Sequence, residues 1–250
     1  MYTLLILLVM IFIPIPVMMR YMLSGRNAYR GILEGSLSAI MGVSLIFLVF
    51  WAMTGVTFFE ALTHSLNQIN ISDMNMGGYY FGMKEFSPDT MERALDSMKE
   101  MMKLAVPGTL IVFCMVIAYV NYAAISWFIR KTGKKVSALP PLRAFSLPKN
   151  ILIGSLIVYL LSYITVNMGI IDKSLMMFNL EMLFTFVFSI QGLAVIFCFG
   201  YIKKIPKFVL LIISAIFIFT WLGQTFLFLL GLSDIVLNIR KRISQTNFKI

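Results

Sequence analysis

Residues Met177 to Tyr201 read MFNLEMLFTFVFSIQGLAVIFCFGY, a run in which Glu181 is the only charged side chain. A helix needs about 20 predominantly apolar residues to cross a hydrocarbon core of about 30 Å, and this run is long enough. A barrel strand would alternate polar and apolar positions, which it does not. Lipid offers no water to backbone N–H and C=O groups, so a lone spanning segment must be a helix. The same criterion, carried outward, finds spans at about 2–23, 32–59, 105–129, 151–170, 177–201 and 208–232. The expected fold is therefore all-α: a polytopic transmembrane helix bundle of about six spans, read as a single membrane domain over residues 1–250.

Composition agrees. Of 250 residues, 60% are apolar and 13% charged, against about 45–50% and about 25% in soluble domains. With a mean hydropathy of +0.89, too few polar side chains remain to coat a water-soluble globule. The first span has no basic region before it and no small-x-small cleavage site after it, so it reads as a retained helix, bent near Pro14 and Pro16. Apolar sequence begins almost at the first residue, which is also compatible with an amino terminus shortened relative to its relatives.

Net charge is +10, from 21 Lys and Arg against 11 Asp and Glu. In a soluble chain that excess would suggest nucleic acid; here its placement sets orientation. Arg20, Arg26, Arg30, Arg130, Lys131, Lys134, Lys135, Arg143, Lys149, Lys203, Lys204 and Lys207 share one side of a six-span arrangement. That side is expected to be cytoplasmic, with residues 130–150 as a cytoplasmic loop and 60–104 as an external one. The tail, 233–250, does not fit: Arg240, Lys241, Arg242 and Lys249 fall outside. Either one segment does not cross fully or an additional crossing exists.

In the long loop, Ser87 suits an N-cap, Pro88 the first helical position, and Asp89 and Glu92 the first turn. Met91, Leu95, Met98 and Met102 follow at helical spacing, predicting an amphipathic helix on the outer face. The preceding Met76-Gly77-Gly78-Tyr79-Tyr80-Phe81-Gly82 reads either as an interfacial aromatic belt with a flexible connector or as a lid over an external cavity.

Little in the chain suggests catalysis. The one histidine, His64, has only Glu60 a helical turn away, and no further ligand is spaced for a metal. Cys114 and Cys198 lie in apolar runs without CxxC or Cys/His spacing. No nucleotide loop, HExxH or GxSxG is present. The chain is expected not to be an enzyme, to use no cofactor or metal, and to need a partner for any ATP-driven activity.

Intramembrane polar groups are the stronger signal, because an ionised group at helix centre costs about 2.5–3.5 kcal/mol on insertion scales. Glu181, Thr185 and Ser189 follow one helical line, with Asn179 on another side. Asn167 and Gln224 fall at similar depth toward the outer face, and Gln191 lies near the midplane. These six residues, Glu181, Asn179, Asn167, Gln224, Thr185 and Gln191, are candidate ligand contacts, weighed equally against interhelical hydrogen bonding and snorkelling. Gly31, Gly35, Ala39 and Gly42 form a small-residue stripe that lets a helix approach closely, from within this chain or from a partner. Pro140, Pro141 and Pro148, interleaved with Leu and Phe, predict a semi-rigid segment on the membrane surface, with Arg143 and Lys149 toward anionic headgroups, or a docking surface for a cytoplasmic partner.

The segment Leu139-Pro140-Pro141 with Arg143-Ala144-Phe145-Ser146-Leu147-Pro148, then Phe188-Ser189-Ile190-Gln191-Gly192-Leu193-Ala194-Val195-Ile196, and Gly231-Leu232-Ser233-Asp234 with Asn238-Ile239-Arg240 together resemble the YybS-like family of uncharacterised bacterial multi-pass membrane proteins. The resemblance covers mainly residues 139–242. It implies a distant similarity to the substrate-binding S components of energy-coupling-factor transporters. That in turn implies an external site and a helix stripe docking a membrane coupling protein driven by separate ATPases. The resulting expectation is a protein of the bacterial cytoplasmic membrane, bound to the lipid bilayer and not to nucleic acid, serving as a small-molecule-binding transport subunit. The alternative is a structural scaffold of the envelope or sporulation machinery.

Overall fold

The computed structural model describes residues 2–24, 27–68, 88–133, 136–170 and 172–247. The expected hinge at 76–82, the Ser87 cap, Arg26, Lys134, Lys135 and Lys249 lie outside the described residues, as do the side chains of Asp89 and Met91. The described residues are helical with no strand. They divide into two compact units, Met1–Ser137 and Ala138–Ile250.

The first unit holds α1 (Tyr2–Phe12), α2 (Pro14–Leu23), α3 (Ala28–Thr54), α4 (Phe58–Asn67) and α5 (Pro88–Lys131). Pro14 opens α2, and the break at Ile13 leaves 5–23 long and apolar enough to cross as one span. Breaking the helix frees a carbonyl, and Asn121 Nδ2 donates to that of Ile11 at 2.8 Å. The small-residue stripe of α3 faces this same broken span: a Cβ on Gly31 would lie 2.9 Å from Tyr21 Cβ, and one on Gly42 2.6 Å from Ile13 Cδ1. Gly35 meets Met18 in the same way, and Ala39 is buried in a core with Met10, Val43 and Cys114. The stripe is thus occupied within the unit.

Where the sequence suggested a span ending at residue 59, α3 stops at Thr54. Gly55 takes a left-handed φ of 71° and donates to Trp51 O at 2.8 Å. Thr57 then starts α4 through a capping box, its Oγ1 accepting from Glu60 N at 3.2 Å while Glu60 Oε2 accepts from Thr57 N at 2.7 Å. Glu60 is held by this cap, and His64 pairs with Gln68 at 3.4 Å. The helix expected from residue 88 is present as the opening turns of α5, but of its expected apolar stripe Leu95 is buried while Met98 and Met102 are exposed. It continues past Pro107 into the third span without interruption.

The second unit holds a 3₁₀ turn (Leu142–Ala144), α6 (Asn150–Asn167), α7 (Lys173–Ile202), α8 (Lys207–Phe219), α9 (Trp221–Leu237) and α10 (Ile239–Asn247). Asp172 caps α7 by accepting from Leu175 N at 2.9 Å. The expected straight span at 208–232 is broken: α8 and α9 meet at 106°. Thr220 causes the break by adopting an extended conformation (φ −103°, ψ 139°) and capping α9, its Oγ1 accepting from Gly223 N at 3.2 Å. Gly223 allows it, because a Cβ there would meet the Phe217 backbone at 2.5 Å. Among the described residues, five helices are therefore long and apolar enough to cross a membrane, and the α8–α9 pair is a broken sixth or a re-entrant loop.

Two contacts generate predictions. A Cβ on Gly192 would lie 2.1 Å from Leu227 O, and one on Gly231 would lie 1.9 Å from Phe188 O, so backbone meets backbone between α7 and α9. Gly192→Ala or Gly231→Ala should cost about 1–3 kcal/mol by overpacking, read as a lower melting temperature in detergent. Gly154→Ala, with nothing within 4 Å of its Cβ, should leave melting unchanged or raise it. At α4, the Thr57 N–H and hydroxyl hold the Glu60 carboxyl below its ordinary range. Because the folded value is depressed, the cap's contribution is present above the unfolded value and is lost as pH falls through the folded one. Protection factors at residues 58–61, the exchange rates corrected for the intrinsic pH dependence of amide exchange, should fall on acidification, and Glu60→Gln should abolish that fall.

Candidate functional site

Asp234 sits three residues before the end of α9 and is 4% exposed. A buried carboxylate is costly unless charge and hydrogen bonds answer it, and here three donors do. Gln191 Nε2 donates to Oδ2 at 2.6 Å, Arg240 Nε donates to the same oxygen at 2.8 Å, and the Arg240 backbone N–H donates to Oδ1 at 3.0 Å. The chain can return to its own carboxylate this quickly because Asn238 takes the left-handed region (φ 52°, ψ 47°) and closes α9 by donating to Asp234 O. Asparagine is among the few side chains that tolerate this conformation.

The cluster reaches further. Gln191 Oε1 accepts from Leu147 N at 3.0 Å, and Arg240 Nη1 donates to the carbonyls of Arg143, at 3.1 Å, and Phe145. The amide orientation of Gln191 follows from its neighbours, since only its oxygen can face an N–H while its nitrogen faces a carboxylate. One buried ion pair and one glutamine thus tie the 142–147 segment and the first residues of the tail to α7. The close approach of α7 and α9 at Gly192 and Gly231 lies beside this cluster.

Arg143 packs its guanidinium over the Tyr201 ring, 3.6 Å from the centroid, near the carboxyl end of α7. Beside these groups opens a cleft of about 540 Å³ whose lining includes Arg143, Ser146, Lys149, Gln191, Asp234 and Arg240. The cleft wall is cationic, because its buried carboxylate is already neutralised by Arg240.

Of the six candidate ligand contacts, Gln191 belongs to this cluster and the other five do not. Asn167 and Asn179 donate to carbonyls of their own helices, those of Tyr163 and Leu175, at 2.8 and 2.6 Å. Glu181 and Gln224 are exposed and Thr185 half-buried. No hydrogen bond or ion pair joins Glu181, Asn167 and Gln224 among the described residues. Asp234 and Arg240 were not among the candidates. Both lie just past the expected end of the last span, where they read as a polar tail. Their signal was the triplet of a carboxylate, an asparagine four residues on and an arginine two further. No group of three or more metal-ligating side chains occurs among the described residues.

Residues 1–235 match the family described as predicted membrane protein, DUF2232, and the chain belongs to that family. It is similar to the uncharacterised protein YybS of Bacillus subtilis (strain 168), 20% identical over 218 residues, which cover 86% of this chain and 68% of that protein. No solved structure matches.

The ion pair makes a direct prediction. Arg240→Gln leaves a buried carboxylate with too little compensation and should destabilise by about 3–5 kcal/mol, whereas Asp234→Leu combined with Arg240→Met should recover a large part of that loss. Thermal melting in detergent checks both.

Proposed function

We propose that the chain is a non-enzymatic binding subunit of the bacterial cytoplasmic membrane, working from the cytoplasmic end of residues 138–250. One observation carries this: Arg240 is bonded to the backbone of Arg143 and Phe145, so the start of the tail and the 142–149 segment lie together. The sharp turn at Thr220 supports a re-entrant α8–α9 pair, entering after Lys207 and returning to the same side. On that reading Arg240, Lys241 and Arg242 join the twelve basic residues expected on the cytoplasmic side, and the misfit of the tail disappears. Five crossings and one re-entrant pair then replace six crossings.

A face built this way, with a fixed loop and a fixed tail around a cleft, suits docking or ligand capture at the membrane surface. If the likeness to transport S components expected from the sequence holds, the partner would be a membrane coupling protein with separate ATPases. A second reading, external capture of a small molecule, is favoured by Ser189. Its hydroxyl is buried without a hydrogen-bond partner on the same line of α7 as Thr185 and Glu181, so one polar group on that line is left unmet. Crosslinked partners from envelope synthesis would instead favour the scaffold.

Sidedness is the first test. A single cysteine at the exposed Lys241, Lys241→Cys in a Cys114→Ala/Cys198→Ala background, should react with a membrane-impermeant maleimide in inverted vesicles and not in intact cells. Labelling from outside the cell would overturn the cytoplasmic assignment.

A further inference from the structure

We infer that the cleft beside the Gln191–Asp234–Arg240 cluster binds a phosphate-bearing anion, with Arg143 and Lys149 as its cationic contacts and Ser146 as a hydroxyl donor. Both oxygens of Asp234 accept hydrogen bonds, three in all, and the residue is 4% exposed, so its charge is answered before any ligand arrives. Arg240 is committed to that carboxylate and to two carbonyls. The charged groups left to the cleft are therefore all cations.

Arg143 is the most informative. Its guanidinium is held over Tyr201 at 3.6 Å, yet it donates no hydrogen bond among the described residues. Stacking fixes the plane of the fork and leaves its N–H groups for a partner that can take several at once, which is how Arg reads a phosphate. Lys149 also lines the cleft, exposed and outside any described ion pair. Two separate cationic centres and a hydroxyl around one opening suit a tetrahedral, multiply charged anion better than a planar monocarboxylate. The backbone bearing them is pinned at Leu147 by Gln191 and at Arg143 and Phe145 by Arg240, so the contacts are pre-positioned rather than assembled on binding.

The phosphate could belong to a lipid headgroup or to a soluble molecule, and two arms distinguish them. In neutral detergent at constant ionic strength, inorganic phosphate and pyrophosphate are titrated against chloride, with melting temperature as readout. In nanodiscs mixing phosphatidylglycerol with phosphatidylcholine, native mass spectrometry reads which lipid stays bound. A shift in the first arm alone assigns a soluble phosphate; selective retention in the second alone assigns a headgroup; both together assign a site that accepts either.

Arg143→Gln with Lys149→Gln should weaken binding by about tenfold or more. Lys203→Gln with Lys207→Gln, which removes the same charge away from the cleft, should leave it nearly unchanged. Lys149→Glu, at an exposed side chain with no described bond to lose, provides the same test should the double variant fold poorly. No shift and no selectivity in either arm overturns the inference, and so does equal weakening by the control pair, which would mark a diffuse basic collar. The inference rests on taking this cleft as the working face; detergent binding is read without reference to sidedness, so the two fail separately.

Discussion

A carboxylate buried inside a lipid-facing helical protein must have its charge answered locally, and Asp234 sets that requirement for the whole of residues 138–250. The nearest solution in sequence is Arg240, and it is available only because Asn238 turns left-handed and folds the chain back. Once there, the guanidinium has donors to spare, and it takes the carbonyls of Arg143 and Phe145. Gln191 completes the arrangement from α7, giving its amide nitrogen to Asp234 and its oxygen to Leu147. Truncating any one of these side chains leaves another buried polar group without its partner, so the cluster's members are coupled by desolvation as much as by attraction.

Helix packing makes room for this. Lipid supplies no hydrophobic drive for helix association, so close van der Waals approach and interhelical hydrogen bonds must do it. Gly192 and Gly231 bring the α7 and α9 backbones into contact, one residue from Gln191 and three from Asp234. The 106° turn at Thr220 lets α9 approach α7 on a course that a straight continuation of α8 would not follow. Turn, glycine contact and buried ion pair are successive conditions for one cleft, and a cationic wall is what remains when the cluster has satisfied itself.

Much of the fold was legible because length and apolarity alone decide which segments can cross a bilayer, and the prolines at 14 and 16 marked the first break. Thr220 was harder. It sits in Phe219-Thr220-Trp221, apolar on both sides and without proline, so a hydropathy window passes over it; the available cue was a threonine three residues before a glycine. Asp234 lay two residues past the expected span boundary, which left Glu181 as the apparent sole intramembrane carboxylate, although Glu181 is exposed. Gln191 was recognisable from its depth, but its partners stand 43 and 44 residues away in sequence, and no local pattern encodes such pairings. The three stretches that carry the family resemblance, around 139–148, 188–196 and 231–240, are the ones that meet at this cluster.

The central claim is that Gln191, Asp234 and Arg240 act as one unit. A double-mutant cycle on Gln191 and Arg240, which both bond Asp234 Oδ2, measures this directly. Gln191→Ala, Arg240→Gln and the double variant would be compared by reversible unfolding in one detergent. A single unit predicts a coupling of about 1–3 kcal/mol. Effects that add to within about 0.5 kcal/mol would contradict it and reduce the cluster to independent contacts.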